Sequence, residues 1–590
     1  MSLTKNTNDP KTQNPSRTIR GLLLTAVSIG ILCTAAGYSG MAQAQLSSPA
    51  TDFLFSRNLL KQASYNEALS NGQVGTHKFS DSGAINSFYQ SREHKPYWTS
   101  SRANLEKSRK VLSFLQESWT HGLNPADYHI DEISALLGQD DRDEGRLELL
   151  MTDAVARYGH DISGMRVNAA AANEQSKFWK QPLPASDVLT RLTQSEDPKT
   201  ALESLTPNHP FYNRLREELV RLSRESAKYD DILPIKLGGK TFYPGDSSEG
   251  VKALRQRLDV EYDTAQGPEK FYDDNTAAAV MTFQRQNGLE ADGVIGPKTL
   301  AMLNRSNRDQ MEQVIANLER LRWMDKETPG RYIMVNIPSQ TLWAVDGGKV
   351  AYEMPVIVGK PDRQTKAFRA EIKGIRFNPN WTVPMGIKMK DFLPKLQEDP
   401  TYLSQKGIEV YEGTGRERRT VDPTEVDWSA MTSRDMNQLS MVQKQGDNNA
   451  LGRIRVLMPN DFDIYLHDTN TPEYFEKTER TLSSGCVRLS QPEDIARFVL
   501  SRNEDWSDEK MDATLKRGKT VEVSAQEPFP VFIVYQTMWL DADGNLVYGA
   551  DVYKQDKRLI KAMIQANNFH IPESAGTRMA DAVDKNNRKF

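Results

Sequence analysis

Residues 465–489 read YLHDTNTPEYFEKTERTLSSGCVRL. His467 ends a short apolar run that reads as a strand, and Cys486 follows nineteen residues downstream, behind Ser483-Ser484-Gly485 and ahead of Val487-Arg488-Leu489. Gln491-Pro492-Glu493-Asp494 then has the character of a helix start. A thiol with a pKa near 8.5 is mostly protonated at neutral pH, so an imidazole that takes its proton turns it into a nucleophile. Gly485 lets the backbone turn sharply, and N–H groups around Gly485 and Cys486 are placed to hold a developing oxyanion. Arg488 can offer a carboxylate two parallel hydrogen bonds or brace a loop carbonyl. Each residue alone has a plainer reading: a core histidine, a loop-bracing arginine, a buried cysteine serving as a small hydrophobe.

Outward from this stretch the pattern is β-rich. Residues 332–337, 341–345 and 350–358 are dense in β-branched and aromatic residues, with Gly347-Gly348 as a turn. Residues 453–458 and 463–466 form a candidate strand pair around Pro459-Asn460-Asp461. Between these blocks, about 385–450 is polar, charged (GRERRTVD, 415–422) and weakly periodic. An insertion of that length reads as a substrate lid or a surface excursion.

Further upstream the period becomes helical. Residues 304–324 carry Met311, Val314, Ile315, Leu318 and Leu321 as an apolar stripe. Residues 245–303 hold three short helical patterns punctuated by turn glycines. Residues 103–119 and 147–166 are the clearest helices of a mostly helical 45–232. His160 and Asp161, within the second, lack a partner motif and read as structural.

At the start, Lys5, Lys11, Arg17 and Arg20 precede an apolar run, GLLLTAVSIGILCTAAG (21–37), and Ala42-Gln43-Ala44, the layout of an export signal. It is expected to be cleaved; retention as an inner-membrane anchor is the other reading. Removal of 1–44 takes a net +3 from a chain of formal charge −4, leaving −7, and takes Cys33 with it. Cys486 is then the one thiol left, which excludes a disulfide scaffold or a cysteine-rich zinc site. An acidic chain of 590 residues with 38% hydrophobic content fits several water-soluble domains and gives no sign of a nucleic-acid partner. The eight histidines form no H-E-x-x-H motif.

Taken together, the strand-end His467 and the Ser-Ser-Gly-Cys-Val-Arg segment resemble the catalytic motif of the L,D-transpeptidases. YIMVNIPSQTLWAV (332–345), VIVGKPDRQT (356–365) and NPNW (378–381) followed by Val383-Pro384 resemble the same domain, and GLEADGVIGPKTLAML (288–303) resembles a three-helix peptidoglycan-binding module. The order resembles the large periplasmic YcbB-type members of the family in Gram-negative bacteria. Two positions depart from the common pattern: Ser484 stands where many members have His, and Asp468 follows His467 where many have Gly.

The resemblance implies an α+β multidomain chain with the following organisation: export signal at 1–44, helical scaffold at 45–232, peptidoglycan-binding-like module at 233–304, linker helix at 305–330, β-rich catalytic domain at 331–515 with a lid at about 385–450, and a C-terminal extension at 516–590 packing on it. It implies a periplasmic enzyme without metal or cofactor that works on peptidoglycan tetrapeptide stems alongside other cell-wall synthesis proteins. Cys486 would be the nucleophile and His467 the general base and acid, with Gly485, Ser484 and Arg488 placing the oxyanion or substrate. The product would be a 3–3 cross-link formed through a thioester with release of D-Ala, and the thiol would be a target of carbapenems. Water or a lipoprotein as acceptor, and a non-catalytic wall-binding scaffold, are the competing readings.

Overall fold

The computed structural model describes residues 65–229, 233–239, 241–325 and 329–572; the expected export signal, Cys33 and the end of the chain lie outside them. The helical region opens with a core of its own. Helices α1 (Arg102–Gln116) and α2 (Glu144–Ser163) bury Leu112, Leu115, Leu150 and Val155. Ser101 and Asp143 cap them by accepting backbone N–H bonds three residues on. Gly122, at φ +69°, ends the short 3-10 turn that follows α1.

Helix α3 (Pro210–Tyr229) changes allegiance. Tyr212, Leu215, Leu219 and Leu222 join the core of the β domain, together with α7, introduced below. The module between them folds as α4 (Val251–Leu258), α5 (Asp274–Gln286) and α6 (Pro297–Leu303) around a separate small core that includes Tyr272 and Val280. The expected linker helix is α7 (Asn307–Arg322), and it is no surface tether. Asn317 and Glu319 are fully buried, and the helix packs against α3 on one side and the C-terminal segment on the other.

The β domain is one nine-stranded sheet closed on itself. Its strands are β1 (Arg331–Asn336), β2 (Thr341–Asp346), β3 (Lys349–Gly359), β4 (Phe368–Phe377), β5 (Ile454–Leu457), β6 (Leu466–His467), β7 (Thr481–Ser483), β8 (Val487–Leu489) and β9 (Val521–Val534). The order is β7-β3-β8-β6-β5-β4-β9-β1-β2, and β2 pairs back onto β3. The β2–β3 pairing closes the ring and leaves the short β7 beside it, and side-chain alternation sends one row of each strand inward. Val335, Val356, Ile375, Val456, Leu466 and Val487 belong to that inner row.

One expectation needs correction. The catalytic domain does not stop at 515: β9, placed by the sequence in a C-terminal extension, runs through the sheet between β4 and β1. Its register on β4 shifts between Ser524 and Phe529, so polar residues and two prolines interrupt the alternation that marks a strand. The insertion expected at about 385–450 is a folded unit with a core of its own. Four strands (Trp381–Thr382, Ile408–Glu412, Arg419–Val421, Leu439–Gln443) and short helices enclose Val383, Leu396, Val410, Trp428, Met436 and Met441. Short elements with charged outer faces left little periodicity to read.

Candidate active site

Strands β6 and β8 run parallel, with Leu466 opposite Val487 and His467 opposite Arg488. Paired residues share a face, and so do residues two apart on one strand, so Cys486, just before β8, lies on the face of Arg488 and His467. The opposite face is the packed interior.

His467 is buried, and its Nδ1 lies 2.5 Å from the Asp468 carbonyl oxygen. A carbonyl can only accept, so the Nδ1 beside it carries a proton. Burial, and after it the charge of Arg488, brings the imidazole pKa down to about 3, against the pull of the Asp468 and Leu451 carbonyls. Asp468 therefore orients the ring through its main chain. Its carboxylate closes the turn by accepting the N–H groups of Arg453 and Thr469, each at 2.7 Å. Gly452, at φ +60°, is needed beside it, because a Cβ there would lie 2.3 Å from that carboxylate.

Cys486 is partly exposed. Its thiol donates to the Asp463 carbonyl at 3.8 Å, and no hydrogen bond joins it to His467 among the described residues. Burial pushes the thiol pKa up; the Tyr465 N–H and the charges of Arg455 and Arg488 pull the other way. Thiol and imidazole thus both rest neutral.

The loop that presents the thiol is tied from below. Gly485 has φ +122° and is buried. Its N–H donates to Ser483 Oγ (3.1 Å), which itself donates to the Cys486 carbonyl (2.5 Å). Thr365 Oγ1 donates to the Gly485 carbonyl at 2.8 Å and accepts from the Gly359 N–H at 2.9 Å. The Tyr553 hydroxyl donates to the Gly359 carbonyl. Of the residues the sequence singled out, Cys486, His467, Gly485 and Arg488 converge. Ser484 is exposed, with its hydroxyl accepting from Arg363 at 3.1 Å. Arg488 donates to Thr471 Oγ1 at 3.0 Å. Arg363, Thr365, Arg455 and Tyr553 were not legible as site residues, since their partners lie far off in sequence.

Residues 330–523 match the family described as "L,D-transpeptidase catalytic domain", 247–303 match "Putative peptidoglycan binding domain", and 83–219 match "Scaffold domain". A catalytic domain of the L,D-transpeptidase family therefore lies within residues 330–523. A protein of Haemophilus influenzae described as "Putative L,D-transpeptidase" is 32% identical over 253 residues, covering 43% of this chain and 50% of its own length. The match thus spans half of that curated relative. Among solved structures, an L,D-transpeptidase from Mycobacterium smegmatis aligns at 12% identity over 35% of this chain and 58% of its own, with a TM-score of 0.17. One from Stackebrandtia nassauensis aligns at 17% identity over 44% and 88%, with a TM-score of 0.18. No helix among the described residues is long and apolar enough to cross a membrane.

Proposed function

We propose that the protein is a periplasmic peptidoglycan L,D-transpeptidase that forms 3–3 cross-links through a thioester on Cys486. The observation that carries the reading is the shared face of Cys486, His467 and Arg488 on β6 and β8, within a domain of this family. On binding of a tetrapeptide stem, His467 Nε2 takes the thiol proton and Cys486 Sγ attacks the carbonyl between the L-centre of meso-diaminopimelate and the terminal D-Ala. The oxyanion forms beside the Cys486 N–H, since the Gly485 N–H is committed to Ser483. Collapse breaks the C–N bond; His467 returns the proton to the leaving amine and D-Ala departs. The side-chain amine of a second stem then attacks the thioester, forms the new amide and restores the thiol. The folded insertion at about 385–450 acts as a lid that keeps water from the thioester. The module at 247–303 would keep the enzyme on the wall.

Incubation with a carbapenem followed by intact-mass and peptide analysis should place one covalent adduct on Cys486. Cys486→Ser should yield no 3–3 dimers from tetrapeptide muropeptides. Dimers from that variant would rule out the nucleophile, and a folded wild type that takes no adduct would favour a non-catalytic wall-binding scaffold. Defined acceptors (a stem amine, a lipoprotein lysine, water) separate the remaining readings by product.

A further inference from the structure

The strand register lines up a row of charge across the site face. Arg488 on β8 lies opposite His467 on β6, His467 opposite Arg455 on β5, Arg455 opposite Arg376 on β4, and Arg376 opposite Glu522 on β9. The three guanidinium groups are not equivalent. Arg376 is neutralised, with its Nε 2.5 Å from the Glu522 carboxylate. Neither Arg455 nor Arg488 has a carboxylate within ion-pair distance among the described residues. Arg488 at least donates to Thr471. Arg455 rests its guanidinium 3.6 Å over the Tyr465 ring, and its Nε is buried with no acceptor. A buried donor without an acceptor keeps the cost of its own desolvation, which an incoming acceptor would relieve. Tyr465, which carries Arg455 on its ring, also sends its backbone N–H to the sulfur of Cys486, and the charge of Arg455 is felt at that sulfur. The nucleophile therefore sits beside two uncompensated cations, one of them with a donor unused.

We propose that Arg455 is a specificity-determining residue that binds the free carboxylate of the residue leaving the donor stem. This rests on the reading of the site as an acyl-transfer centre, and goes beyond it by assigning the recognition of the leaving group. In a four-residue stem that carboxylate lies one residue past the scissile carbonyl, within reach of a guanidinium close to Sγ. A fifth residue would carry the charge about 3.5 Å further along an extended chain. The unused Nε and the planar fork of Arg455 suit a carboxylate held by parallel hydrogen bonds. Arg455 thereby separates stems that end at the fourth residue from longer ones.

Two alkylating agents that differ only in charge test the cation without relying on the natural reaction. Iodoacetate and iodoacetamide both lose iodide to the same thiolate, so the ratio of their rates at Cys486 cancels the reactivity of the sulfur. Rates are read on the Cys486 peptide of the full chain, with urea-unfolded protein as reference. The native ratio should exceed the unfolded one by about tenfold, and Arg455→Gln should bring it to within about threefold. Arg455→Lys, which keeps the charge and loses the fork, should fall between. Should Arg455→Gln fail to fold, Arg455→Met, which keeps a stem over Tyr465, takes its place. A folded neutral variant with the wild-type ratio would overturn the proposal. In a second arm, tetrapeptide stems ending in D-Ala carboxylate or D-Ala carboxamide are compared by kcat/KM for release of the last residue. Wild type should prefer the carboxylate and Arg455→Gln should lose the preference; an unchanged preference would also overturn the assignment. If wild type releases neither, the transpeptidase reading fails while the alkylation ratio still decides Arg455.

Discussion

At Cys486 and His467 the resting protonation states decide how the thiol is activated. A buried imidazole with its pKa near 3 is uncharged throughout the physiological range, and burial holds the thiol above its ordinary pKa. The pair is thiol and imidazole, not thiolate and imidazolium, so proton transfer accompanies attack. Alkylation of Cys486 by neutral iodoacetamide should then rise about tenfold per pH unit from pH 6 to 9 without levelling. A plateau below pH 7 would mean a pre-formed ion pair and contradict the geometry, in which the thiol faces the Asp463 carbonyl. Cys486 and His467 were legible because chemistry, residue types and local spacing agree. The role of Asp468 was not, because its main-chain carbonyl orients the imidazole, and any residue carries a carbonyl there. Arg455 was hidden for a different reason: an arginine in an alternating strand reads as a solvated residue until the register sets it opposite His467.

Single elements show the same division. Strands β1 to β3 announced themselves by composition and a glycine turn, whereas β9 was masked by its own register shift. The insertion concealed a folded unit that reaches the Cys486 loop through an ion pair. Asp391, on a short helix of the insertion, accepts from Arg363 on the loop after β3, and Arg363 also donates to Ser484, two residues before Cys486. Such a half-exposed pair is worth little as stability. Its place makes it a latch between the insertion and the Cys486 loop. Asp391→Ala should leave the fold intact, as read by far-UV circular dichroism, and loosen closure. With defined stems, the share of thioester lost to water should rise severalfold relative to transfer. An unchanged product ratio would count against a water-excluding lid, because the only change made is to its fastening.

Over the whole molecule, the scaffold and the β domain meet around one buried carboxylate. Glu319 on α7 accepts from Arg166 at 2.9 Å, from Trp323 Nε1 at 3.0 Å and from Arg322. Arg166 also donates to the Asn568 carbonyl near the C-terminus (2.9 Å), and Arg322 to the His121 carbonyl in the scaffold (2.8 Å). One acid thus gathers four regions that are far apart in the sequence, which is why a helix read as a linker lies at the centre of the packing. Removing its charge would leave two guanidinium groups buried with one acceptor too few. Glu319→Gln should therefore destabilise this body by about 3–5 kcal/mol at pH 7, seen as a lower midpoint in urea unfolding. The pH dependence follows from the direction of the shift. The charged arginines outweigh burial and bring the Glu319 pKa down from near 4.5 to about 2 in the folded protein. Its contribution is therefore fully present above pH 4.5 and is lost as pH falls towards 2. The gap between wild type and Glu319→Gln should be constant from pH 7 to about 5 and narrow below it. A gap that stays constant down to pH 3 would mean that Glu319 contributes by shape, and that the charge at the junction is incidental to holding scaffold and catalytic sheet together.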